Sequence, residues 1–445
     1  MTSLTIDIDG VDGTGKSSSV NILRDKFPEI KFNDRGILSK LSDVYDDKLP
    51  ESLPDDSHYY IILDAEPDVC VRRICKRGRP VDKYDKYPSI YKYRNRYLRL
   101  AIRYGTFYIN TTKLNIEQVI TSVSQIIYQI INNKITKSFI LPNPDNYSEE
   151  EFNSLPLVAE GCSKIIRTVN DEFTLVSYKP TVYSHKQQRE GVILFTDKER
   201  MEMTKNILYI FDSEQIPHAY IYIGKNYVLC KYLNPERDIP IVEIIVKKCF
   251  VGTDKYRYHM LDKKISRFGY PIVDDEKREY PEYIVRYDYR NPNHTYTKKN
   301  DDGTETILDV PSFMDKKTED SLMADSAGII MKKPKGDEVL CDDLANLFID
   351  VNLSKKLAKK TFAVLDNHFK KMGIYFEDIC FMITADGQMH YSEISQDCGR
   401  YKKIEEDKLT ALDKDIFRAG GSSPLVFEKW KLMTEITKNY VKSIY

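Results

Sequence analysis

The first third of the chain alternates short apolar runs with longer amphipathic stretches. Apolar runs predict strands at Thr5–Ile8, Tyr59–Leu63 and Phe107–Ile109. Helices are predicted at Ser18–Phe27 and, where apolar side chains recur three and four positions apart, at Ile116–Ile130. Strands that alternate with helices in this way are typical of a parallel sheet flanked by helices, which is an α/β domain.

Beyond residue 155 the predicted strands come in adjacent pairs joined by short turns. One hairpin joins His218–Ile223 to Tyr227–Tyr232, and a second joins Ile374–Ile383 to Met389–Ile394. The other predicted elements are a strand at Ile239–Val246 and helices at Leu353–Met372 and Pro424–Tyr440. Antiparallel strands with separate helices are typical of an α+β domain. We therefore predict a first domain over residues 1–135, a linker over 136–155 and a second domain over 156–445.

Composition and charge limit the class of protein. The 445 residues are 41% hydrophobic and 30% charged with a net charge of −1, which is typical of globular domains and gives no overall basic field for nucleic acid. The eight cysteines form no Cys-x-x-Cys pair, which favours a reducing compartment. Since no signal segment or long apolar run is present, we expect a cytoplasmic protein, in the host cytoplasm if the source is a virus.

A glycine-rich sequence, Gly10-Val-Asp-Gly-Thr-Gly-Lys-Ser17, fits the pattern Gly-x-x-x-x-Gly-Lys-Ser/Thr between a predicted strand and a predicted helix. In such a loop, main-chain N–H groups surround a phosphate, the lysine bridges the β- and γ-phosphates, and the hydroxyl binds Mg²⁺. A chance glycine turn is the alternative. The residues predicted to bind ATP here are Gly10, Asp12, Gly13, Thr14, Gly15, Lys16, Ser17 and Ser18.

Charged residues that follow the loop along the chain can serve phosphoryl transfer. Asp34-Arg35 can bind Mg²⁺ and an acceptor phosphate, and Asp9 and Asp12 can approach the metal or an acceptor sugar. A helix with a basic end is predicted over Val71–Arg79, and its arginines can surround the transferring phosphoryl group, namely Arg72, Arg73, Arg77 and Arg79. A solvated helix face is the alternative for this group, and a surface ion pair is the alternative for Asp34-Arg35.

These motifs resemble those of the thymidylate kinases over about residues 1–135. The similarity lies in Asp9–Ser17, in Asp34-Arg35 with Ser39 after it, and in a lid segment at Arg73–Arg79. It implies a P-loop NTPase fold and transfer of the ATP γ-phosphoryl group to a nucleoside monophosphate. The predicted roles are catalysis by Lys16, Asp34, Arg35, Arg73 and Arg77, Mg²⁺ binding by Ser17 and Asp34, and acceptor binding by Asp9, Asp12 and Arg35.

One departure from that family concerns the acceptor. The segment that holds much of the family's thymine pocket is nearly absent, because Asp34 comes so soon after Ser17. Gly36 also replaces the aromatic residue that follows Asp-Arg in the family. The acceptor is therefore predicted to be an altered pyrimidine nucleotide, or something bulkier such as a base within DNA.

The second half holds two polar sequences at predicted element ends. Glu393, Asp397 and Arg400 fall on one predicted turn. Lys414 and Arg418 lie four positions apart on one helix face, where two cations can hold a phosphate. Ordinary surface charge on a helix is the alternative.

Taken as a whole, this half resembles phosphoribosylaminoimidazole-succinocarboxamide synthase (SAICAR synthase), whose fold is α+β and related to ATP-grasp. Glu393–Arg400 is similar to Asp-Glu-Ile-Ser-Pro-Asp-x-x-Arg, and Leu412–Arg418 matches Leu-Asp-Lys-Asp-x-x-Arg at every fixed position. The resemblance implies that Lys164 binds ATP and that Glu393 binds a metal. It also implies binding of a phosphorylated ligand by Glu243, Lys247, Thr253, Ser395, Asp397, Arg400, Lys414 and Arg418.

The metal side of this second pattern is incomplete. The strand that supplies a lysine and a metal-binding glutamate in the family reads Asp378-Ile-Cys-Phe-Met382, and Ser392 stands where the family has a metal-binding aspartate. Mg²⁺ requires hard oxygen ligands, which methionine and cysteine do not provide. We therefore predict a domain that still binds a nucleotide-like or phosphorylated ligand but has an eroded ATP–Mg²⁺ side.

The sequence thus predicts a nucleotide-metabolism enzyme that uses ATP and Mg²⁺. Its first domain is expected to phosphorylate a deoxynucleoside monophosphate, with nucleic acid as a further acceptor, no membrane partner and a homo-oligomer left open. Two alternatives remain: an active amide synthase that joins an amino acid to a carboxylated nucleotide, and a non-catalytic metabolite-sensing module. The combination would suit synthesis of an unusual nucleotide, for example for modified viral DNA.

Overall fold

The computed structural model describes residues 4–54, 57–78, 82–184, 189–251, 279–290, 294–308, 329–334, 337–406 and 408–444. The chain divides into two compact units. The first unit comprises Met1–Tyr232, Val364–Phe376 and Glu393–Tyr445, and the second comprises Leu233–Ala363 and Glu377–Ser392. The first unit thus contains chain segments from both predicted domains, and the predicted boundary around residues 136–155 stays a prediction.

The first unit opens with a four-stranded parallel sheet. Its strands are β1 (Thr5–Asp9), β2 (Lys31–Asp34), β3 (His58–Asp64) and β4 (Phe107–Asn110), in the spatial order β2–β1–β3–β4. The helices between and after them are α1 (Lys16–Lys26), α2 (Ile37–Leu41), α3 (Pro67–Cys75), α4 (Tyr87–Tyr104) and α5 (Ile116–Ile131). The predicted parallel sheet with flanking helices is confirmed. The prediction that the basic helix reaches residue 79 is wrong, because α3 ends at Cys75.

Helices cover both faces of this sheet because its inner strands are apolar on both sides. In β3, Ile61 and Leu63 belong to the core that includes α1 and α5, whereas Ile62 belongs to the opposite core with Leu100 and Ala101 of α4. Neighbouring side chains of a strand point to opposite faces, which produces this division. Complete burial of one isoleucine or leucine contributes about 1.5–3 kcal/mol.

The order of the strands creates a crevice at one edge of the sheet. From β1 the chain runs through α1 to β2 on one side, and it then reaches β3 on the other side of β1. All four strands are parallel, so their carboxyl ends share one edge. Open α/β sheets bind ligands outside the carboxyl ends of the strands where the connections change direction, which here is beside β1.

The rest of the chain is mainly antiparallel. Its strands are β5 (Leu157–Glu160), β6 (Lys164–Thr168), β7 (Phe173–Tyr178), β8 (Thr181–Ser184), β9 (Arg189–Val192), β10 (Tyr220–Ile223), β11 (Tyr227–Lys231), β12 (Val242–Cys249), β13 (Glu279–Tyr289), β14 (His294–Lys299), β15 (Glu305–Leu308), β16 (Ile329–Pro334), β17 (Glu338–Leu340), β18 (Ile374–Phe381), β19 (Gly399–Glu405) and β20 (Lys408–Ala411). Its helices are α6 (Glu149–Ser154), α7 (Thr196–Glu214), α8 (Asp342–Ala345), α9 (Val351–Lys371), α10 (Asp415–Arg418) and α11 (Ser423–Ile444). Short 3₁₀ turns lie at Asp46–Lys48, Lys137–Phe139 and Pro144–Asn146.

These strands pair mainly as antiparallel neighbours. In the first unit, β10–β11–β7–β6–β5 make one sheet, β8 pairs with β9, and β19 pairs with β20. In the second unit, β17, β13, β12 and the later part of β18 follow one another in order, and β15–β14–β16 make another sheet. No helix in the described part of the chain has the length and apolar content that a bilayer crossing requires.

The two predicted hairpins differ in outcome. The pairing of β10 with β11 confirms the first. The second is confirmed only around its turn. The strand β18 ends at Phe381, and an antiparallel bridge between Ile383 and His390, with a main-chain hydrogen bond from Thr384 N to Met389 O, stands in place of a second full strand. The helix predicted to end before Gly373 does so, and Gly373 has the left-handed φ of 73° that suits this position.

A buried ion pair joins α4 to α7 inside the first unit. Arg99 lies 2.6 Å from the carboxylate of Asp212, and Asn95 Nδ2 donates to the same carboxylate at 2.6 Å. The His218 ring contacts it at 3.0 Å. Burial raises the pKa of Asp212, but Arg99 and His218 lower it by more, so the net pKa lies below the ordinary value. The Asp212 carboxylate is therefore charged, and Arg99 compensates its charge.

Replacing Asp212 by alanine should strongly destabilise the first unit, because it leaves the Arg99 cation buried without its carboxylate. We expect a loss of about 3–5 kcal/mol in the free energy of unfolding, measured by urea denaturation. The control is Asp68→Ala, which removes the exposed pair of Asp68 with Arg72 and should cost no more than about 1 kcal/mol. Equal losses for the two variants would contradict the role given to Asp212.

Candidate functional site

The loop Gly10–Ser17 joins the carboxyl end of β1 to the amino end of α1. Gly10, Gly13 and Gly15 have φ values of 135°, 89° and 100°, a conformation that glycine adopts without strain. A Cβ on Gly10 would lie 2.1 Å from a main-chain oxygen of β3, and one on Gly13 would lie 2.6 Å from a main-chain oxygen of α3. The loop backbone is thus held against both elements with no room for a side chain at Gly10 or Gly13.

Lys16 is buried inside this loop, with only 4% of its surface exposed. Its Nζ donates to the carbonyl oxygen of Val11 at 2.8 Å and lies 3.7 Å from the carboxylate of Asp12. The hydroxyl of Thr14 donates to the same carbonyl at 2.9 Å. Burial lowers the pKa of Lys16 and the Asp12 carboxylate opposes that shift, with the net pKa below the ordinary value. The ammonium group is therefore fixed within the loop.

Asp34 and Arg35 follow β2 at the same edge of the sheet. Arg35 has a left-handed φ of 65°, and its Nη2 donates to both oxygens of Asp12 at 2.8 and 3.0 Å. Arg35 thus pairs with Asp12 of the loop, whereas the alternative to its predicted role was a surface ion pair with Asp34. Asp34 Oδ1 is buried and has no hydrogen-bond partner.

The donor set around the loop fits Mg²⁺ in chemical type. The carboxylate of Asp34 and the hydroxyl of Ser17, which is exposed at the start of α1 beside the exposed Ser18, are hard oxygen ligands. Among the described residues, no three His, Cys, Asp or Glu side chains form a self-sufficient metal cluster. Mg²⁺ commonly relies on one or two protein ligands together with phosphate oxygens, and the two oxygens here suit that arrangement.

The two arginines predicted to be catalytic differ in their surroundings. Arg73 donates to the Gly13 carbonyl at 3.4 Å, to the Thr111 carbonyl at 2.7 Å and to the Leu114 carbonyl at 3.2 Å. Its guanidinium therefore ties the glycine loop to the segment after β4. Arg77 lies exposed in the turn after α3. A catalytic role stays a prediction for both, and Arg79 lies outside the described residues.

The sequence reasoning missed an acidic and basic group at the end of β3. Arg94 of α4 forms a two-pronged pair with Asp64, at 2.8 Å from Nε and 3.0 Å from Nη2, and also contacts Glu66. The hydroxyl of Tyr108 donates to Asp64 at 2.8 Å. The signal was present, since Asp64 directly follows the apolar run Tyr59–Leu63 and so lies at the carboxyl edge.

A second polar cluster in the first unit centres on Glu393, whose side chain is buried. Arg200 donates to its two oxygens at 2.8 and 2.5 Å, Lys164 Nζ lies 2.9 Å away, and the hydroxyl of Ser395 donates at 2.9 Å. Burial raises the pKa of Glu393, but these cations lower it far more, and it stays well below the ordinary range. The predicted metal role of Glu393 is untested, and a metal would have to replace one of these partners.

The basic residues predicted to bind phosphate near this cluster each have an acidic partner. Lys414 Nζ lies 3.0 Å from Asp397. Arg400 and Arg418 share the carboxylate of Asp415, at 2.9 and 2.6 Å. Lys414 and Arg418 lie at the two ends of the one-turn helix α10 and not along a longer helix face. An anion bound here would compete with Asp397 and Asp415.

The remaining predicted residues belong to the second unit. Lys247 is buried and donates to Asp378 at 2.9 Å and to the Val251 carbonyl at 3.1 Å. Arg290 lies 3.2 Å from Glu243, and burial raises the pKa of that carboxyl. Thr253 lies outside the described residues. The ligand role of Glu243 and Lys247 stays a prediction.

Comparison with curated proteins finds one similar over nearly the whole chain. Bifunctional cordycepin biosynthesis cluster protein 3 of Cordyceps militaris is 23% identical over 542 aligned residues, covering 99% of this chain and 60% of the relative. The chain therefore spans about three fifths of the length of that relative. No protein-family model matches the chain.

Two solved structures are similar to about two thirds of the chain. SAICAR-synthase from Saccharomyces cerevisiae, complexed with SAICAR, is 14% identical, and the match covers 67% of this chain and 96% of that one with a TM-score of 0.44. Phosphoribosylaminoimidazole-succinocarboxamide synthase from Ehrlichia chaffeensis is 18% identical, with coverage of 63% and 98% and a TM-score of 0.42. Both neighbours are SAICAR synthases by name, which is the family that the motifs of the second half resemble. TM-scores of 0.42 and 0.44 support no conclusion about the function of this chain.

Asp413 gives a test of the electrostatics near the second cluster. It is fully buried and accepts the main-chain N–H groups of Tyr401 at 2.7 Å and Asp415 at 2.6 Å. Burial, together with the nearby Asp415 carboxylate, raises the pKa of Asp413 to about 7. The folded protein then keeps a proton that the unfolded chain releases near pH 4, so this contribution to stability is complete below about pH 4 and disappears as pH rises to about 7.

We therefore expect the stability of the wild-type protein, relative to Asp413→Asn, to fall between about pH 4 and 7. Urea unfolding midpoints of both proteins across this range measure the difference. Asp68→Asn, at an exposed position, should show no comparable trend. A wild-type curve parallel to that of Asp413→Asn would contradict the raised pKa.

Proposed function

We propose that the loop Gly10–Ser17 binds the phosphates of ATP together with Mg²⁺, and that the protein transfers the terminal phosphoryl group to a small acceptor of nucleoside type. The observation that carries this proposal is Lys16, an ammonium group with 4% exposure inside a glycine loop at the crevice beside β1. A buried ammonium is costly unless an anion compensates it. A polyphosphate beside main-chain N–H groups supplies that compensation.

The residues around the loop have distinct roles in this proposal. When bound, ATP supplies the phosphoryl group and Mg²⁺ neutralises charge on its oxygens. Ser17 and Asp34 hold the metal, and Lys16 neutralises phosphate charge from inside the loop. Arg73, which donates to the Gly13 carbonyl, is a positioning residue for the loop. A low-dielectric site of fixed dipoles of this kind favours the charge that develops during transfer.

The curated relative is compatible with this proposal in two respects. Its name describes a bifunctional protein, and this chain combines the loop site with a separate polar cluster around Glu393. Its name also places it in a biosynthesis cluster for a small molecule, cordycepin. We propose on this basis that the present chain acts on a small-molecule metabolite and carries two functions.

Lys16→Ala should lower ATP-dependent phosphoryl transfer by at least about 100-fold, since it removes the only ammonium group that the described loop directs inward. The measurement uses labelled ATP with a panel of nucleosides, nucleoside monophosphates and single-stranded DNA. Lys26→Ala is the matched control, because Lys26 lies at the far end of the same helix, where it contacts Ser124 and the ring of Phe27. It should keep normal transfer.

Asp34→Asn extends the test to the metal. It should raise the Mg²⁺ concentration for half-maximal transfer by at least about tenfold, because an amide is a weaker ligand than a carboxylate. The proposed function would be refuted if Lys16→Ala transferred the phosphoryl group at the wild-type rate and Asp34→Asn had the wild-type Mg²⁺ dependence.

A second candidate, ATP-dependent amide formation, is favoured by the motifs Glu393–Arg400 and Leu412–Arg418. In its favour, Lys164, Ser395 and Glu393 lie within one hydrogen-bonded cluster. Against it, Arg200 and Lys164 already neutralise Glu393. Ser392 and Met382 stand where the family has its other metal-binding carboxylates. The activity would therefore need a rearranged metal site.

The Lys16→Ala variant also tests this second candidate, because it removes the loop activity as a source of ADP. An amide synthase would still release ADP from ATP when a carboxylated nucleotide and aspartate are both present. Glu393→Gln should then abolish that release. Because this change also leaves Arg200 without its carboxylate, the urea midpoint is expected to fall, and circular dichroism at zero denaturant would show that the double variant folds. Absence of ADP release with every amino acid tried would remove this candidate.

A further inference from the structure

Asp9 is a buried carboxylate at the end of β1 that phosphate binding by the loop does not explain. Its side chain is 0% exposed. Oδ1 accepts the main-chain N–H of Gly36 at 2.9 Å, the N–H of Ser39 at 3.2 Å and the hydroxyl of Ser39. Oδ2 is also buried, and it has no hydrogen-bond partner. A buried polar atom without a partner is costly, and it requires an explanation.

The carboxylate is held in a fixed orientation by a chain of hydrogen bonds. Tyr97 of α4 donates its hydroxyl to Ser39 Oγ at 2.9 Å, and Ser39 donates to Asp9. One oxygen of Asp9 is therefore saturated while the other is left for a further donor. A base that is oriented through one atom and keeps the other without a hydrogen-bond partner is the arrangement that general base catalysis requires.

The described cations that contact the loop do not favour a second phosphate. Lys16 belongs to the loop that binds ATP, and Arg35 is neutralised by the two oxygens of Asp12. Arg73 already donates to three main-chain carbonyls. An acceptor phosphate brings about two negative charges at neutral pH. Beside the carboxylates of Asp9 and Asp12 it would have to take one of these cations from its present acceptors.

We infer that the acceptor is the neutral hydroxyl group of a nucleoside and that Asp9 is its general base, which makes Asp9 a catalytic residue. This inference rests on the proposed function of the loop. In the transfer step the hydroxyl oxygen forms a bond to the γ-phosphorus as the bond between that phosphorus and the ADP oxygen breaks. The proton of the hydroxyl passes to Asp9 Oδ2, and the products are a nucleoside monophosphate and ADP.

Burial agrees with this role, because it raises the pKa of Asp9 above the ordinary value despite the hydrogen bonds from Ser39 and Gly36. A carboxylate whose pKa lies closer to neutrality is a better proton acceptor at physiological pH. The titratable groups that act on Asp9 from the surrounding elements are Asp7, Lys16 and Tyr97.

The test compares nucleosides with their 5′-monophosphates as acceptors for wild-type protein, Asp9→Asn and Asp7→Asn. Asn is nearly isosteric and can still accept at Oδ1. We expect wild-type transfer to nucleosides in preference to monophosphates, and a loss of about 10²–10⁴-fold in kcat for Asp9→Asn. Asp7→Asn, which alters a buried carboxylate bound to Asn33 and His58, should stay close to wild type.

Two further readouts separate a chemical role from a structural one. Asp9→Asn should keep the wild-type affinity for a fluorescent ATP analogue and the wild-type urea midpoint. In the wild type, kcat should fall at acid pH as Asp9 becomes protonated, and Asp9→Asn should lose that limb. The role of Asp9 would be overturned if Asp9→Asn lost affinity for the ATP analogue, or if its kcat still fell at acid pH as in the wild type.

The acceptor panel distinguishes failure of this inference from failure of the proposed function. Lys16-dependent transfer to monophosphates, with nucleosides inactive, would overturn the hydroxyl acceptor and leave the loop function standing. Absence of both ATP binding and transfer would overturn both. Nucleoside transfer that Asp9→Asn leaves unchanged would overturn the assignment of the base.

Discussion

The buried ammonium group of Lys16 is the constraint on which the amino-terminal site depends. It has lost most contact with water and is held by one main-chain carbonyl at 2.8 Å and a carboxylate 3.7 Å away. Removing a charge from water is tolerated only when partners replace the water. The left-handed glycines let the loop backbone approach Lys16 closely enough to replace water. Asp12, which lies near Lys16, also accepts a hydrogen bond from Arg35 at the end of β2.

The same constraint recurs at three other buried ion pairs of the first unit. Arg94 is paired with Asp64, Arg99 with Asp212, and Glu393 with both Arg200 and Lys164. Such pairs add little net stability over apolar packing, but the loss of one partner is expensive. The Arg99–Asp212 pair therefore favours one arrangement of α4 against α7 over others. This explains why the amino-terminal sheet and later segments of the chain form one compact unit.

The sequence predicted the elements whose patterns are local. The parallel sheet, helix α5 and the hairpin β10–β11 follow from apolar spacing and turn residues, and the structure confirms them. It failed where long-range pairing decides the outcome. Nothing in Met389–Ile394 reveals that it forms a single bridge, and nothing near Arg35 reveals that its partner is Asp12 instead of the adjacent Asp34. The position of Asp64 at the carboxyl edge could have been predicted, since it directly follows the apolar run Tyr59–Leu63.

The loop Gly10–Ser17 and the cluster around Glu393 differ in how far their charged groups already have partners. Glu393 has both oxygens engaged by cations, and Arg400 and Arg418 already share Asp415. A ligand there must displace an internal partner, which lowers its affinity by the free energy of that contact. At the loop, by contrast, Asp9 and Asp34 each keep a buried oxygen without a hydrogen-bond partner. A proton donor or a cation that binds there breaks no hydrogen bond of these two oxygens, which supports placing the proposed chemistry at the loop edge.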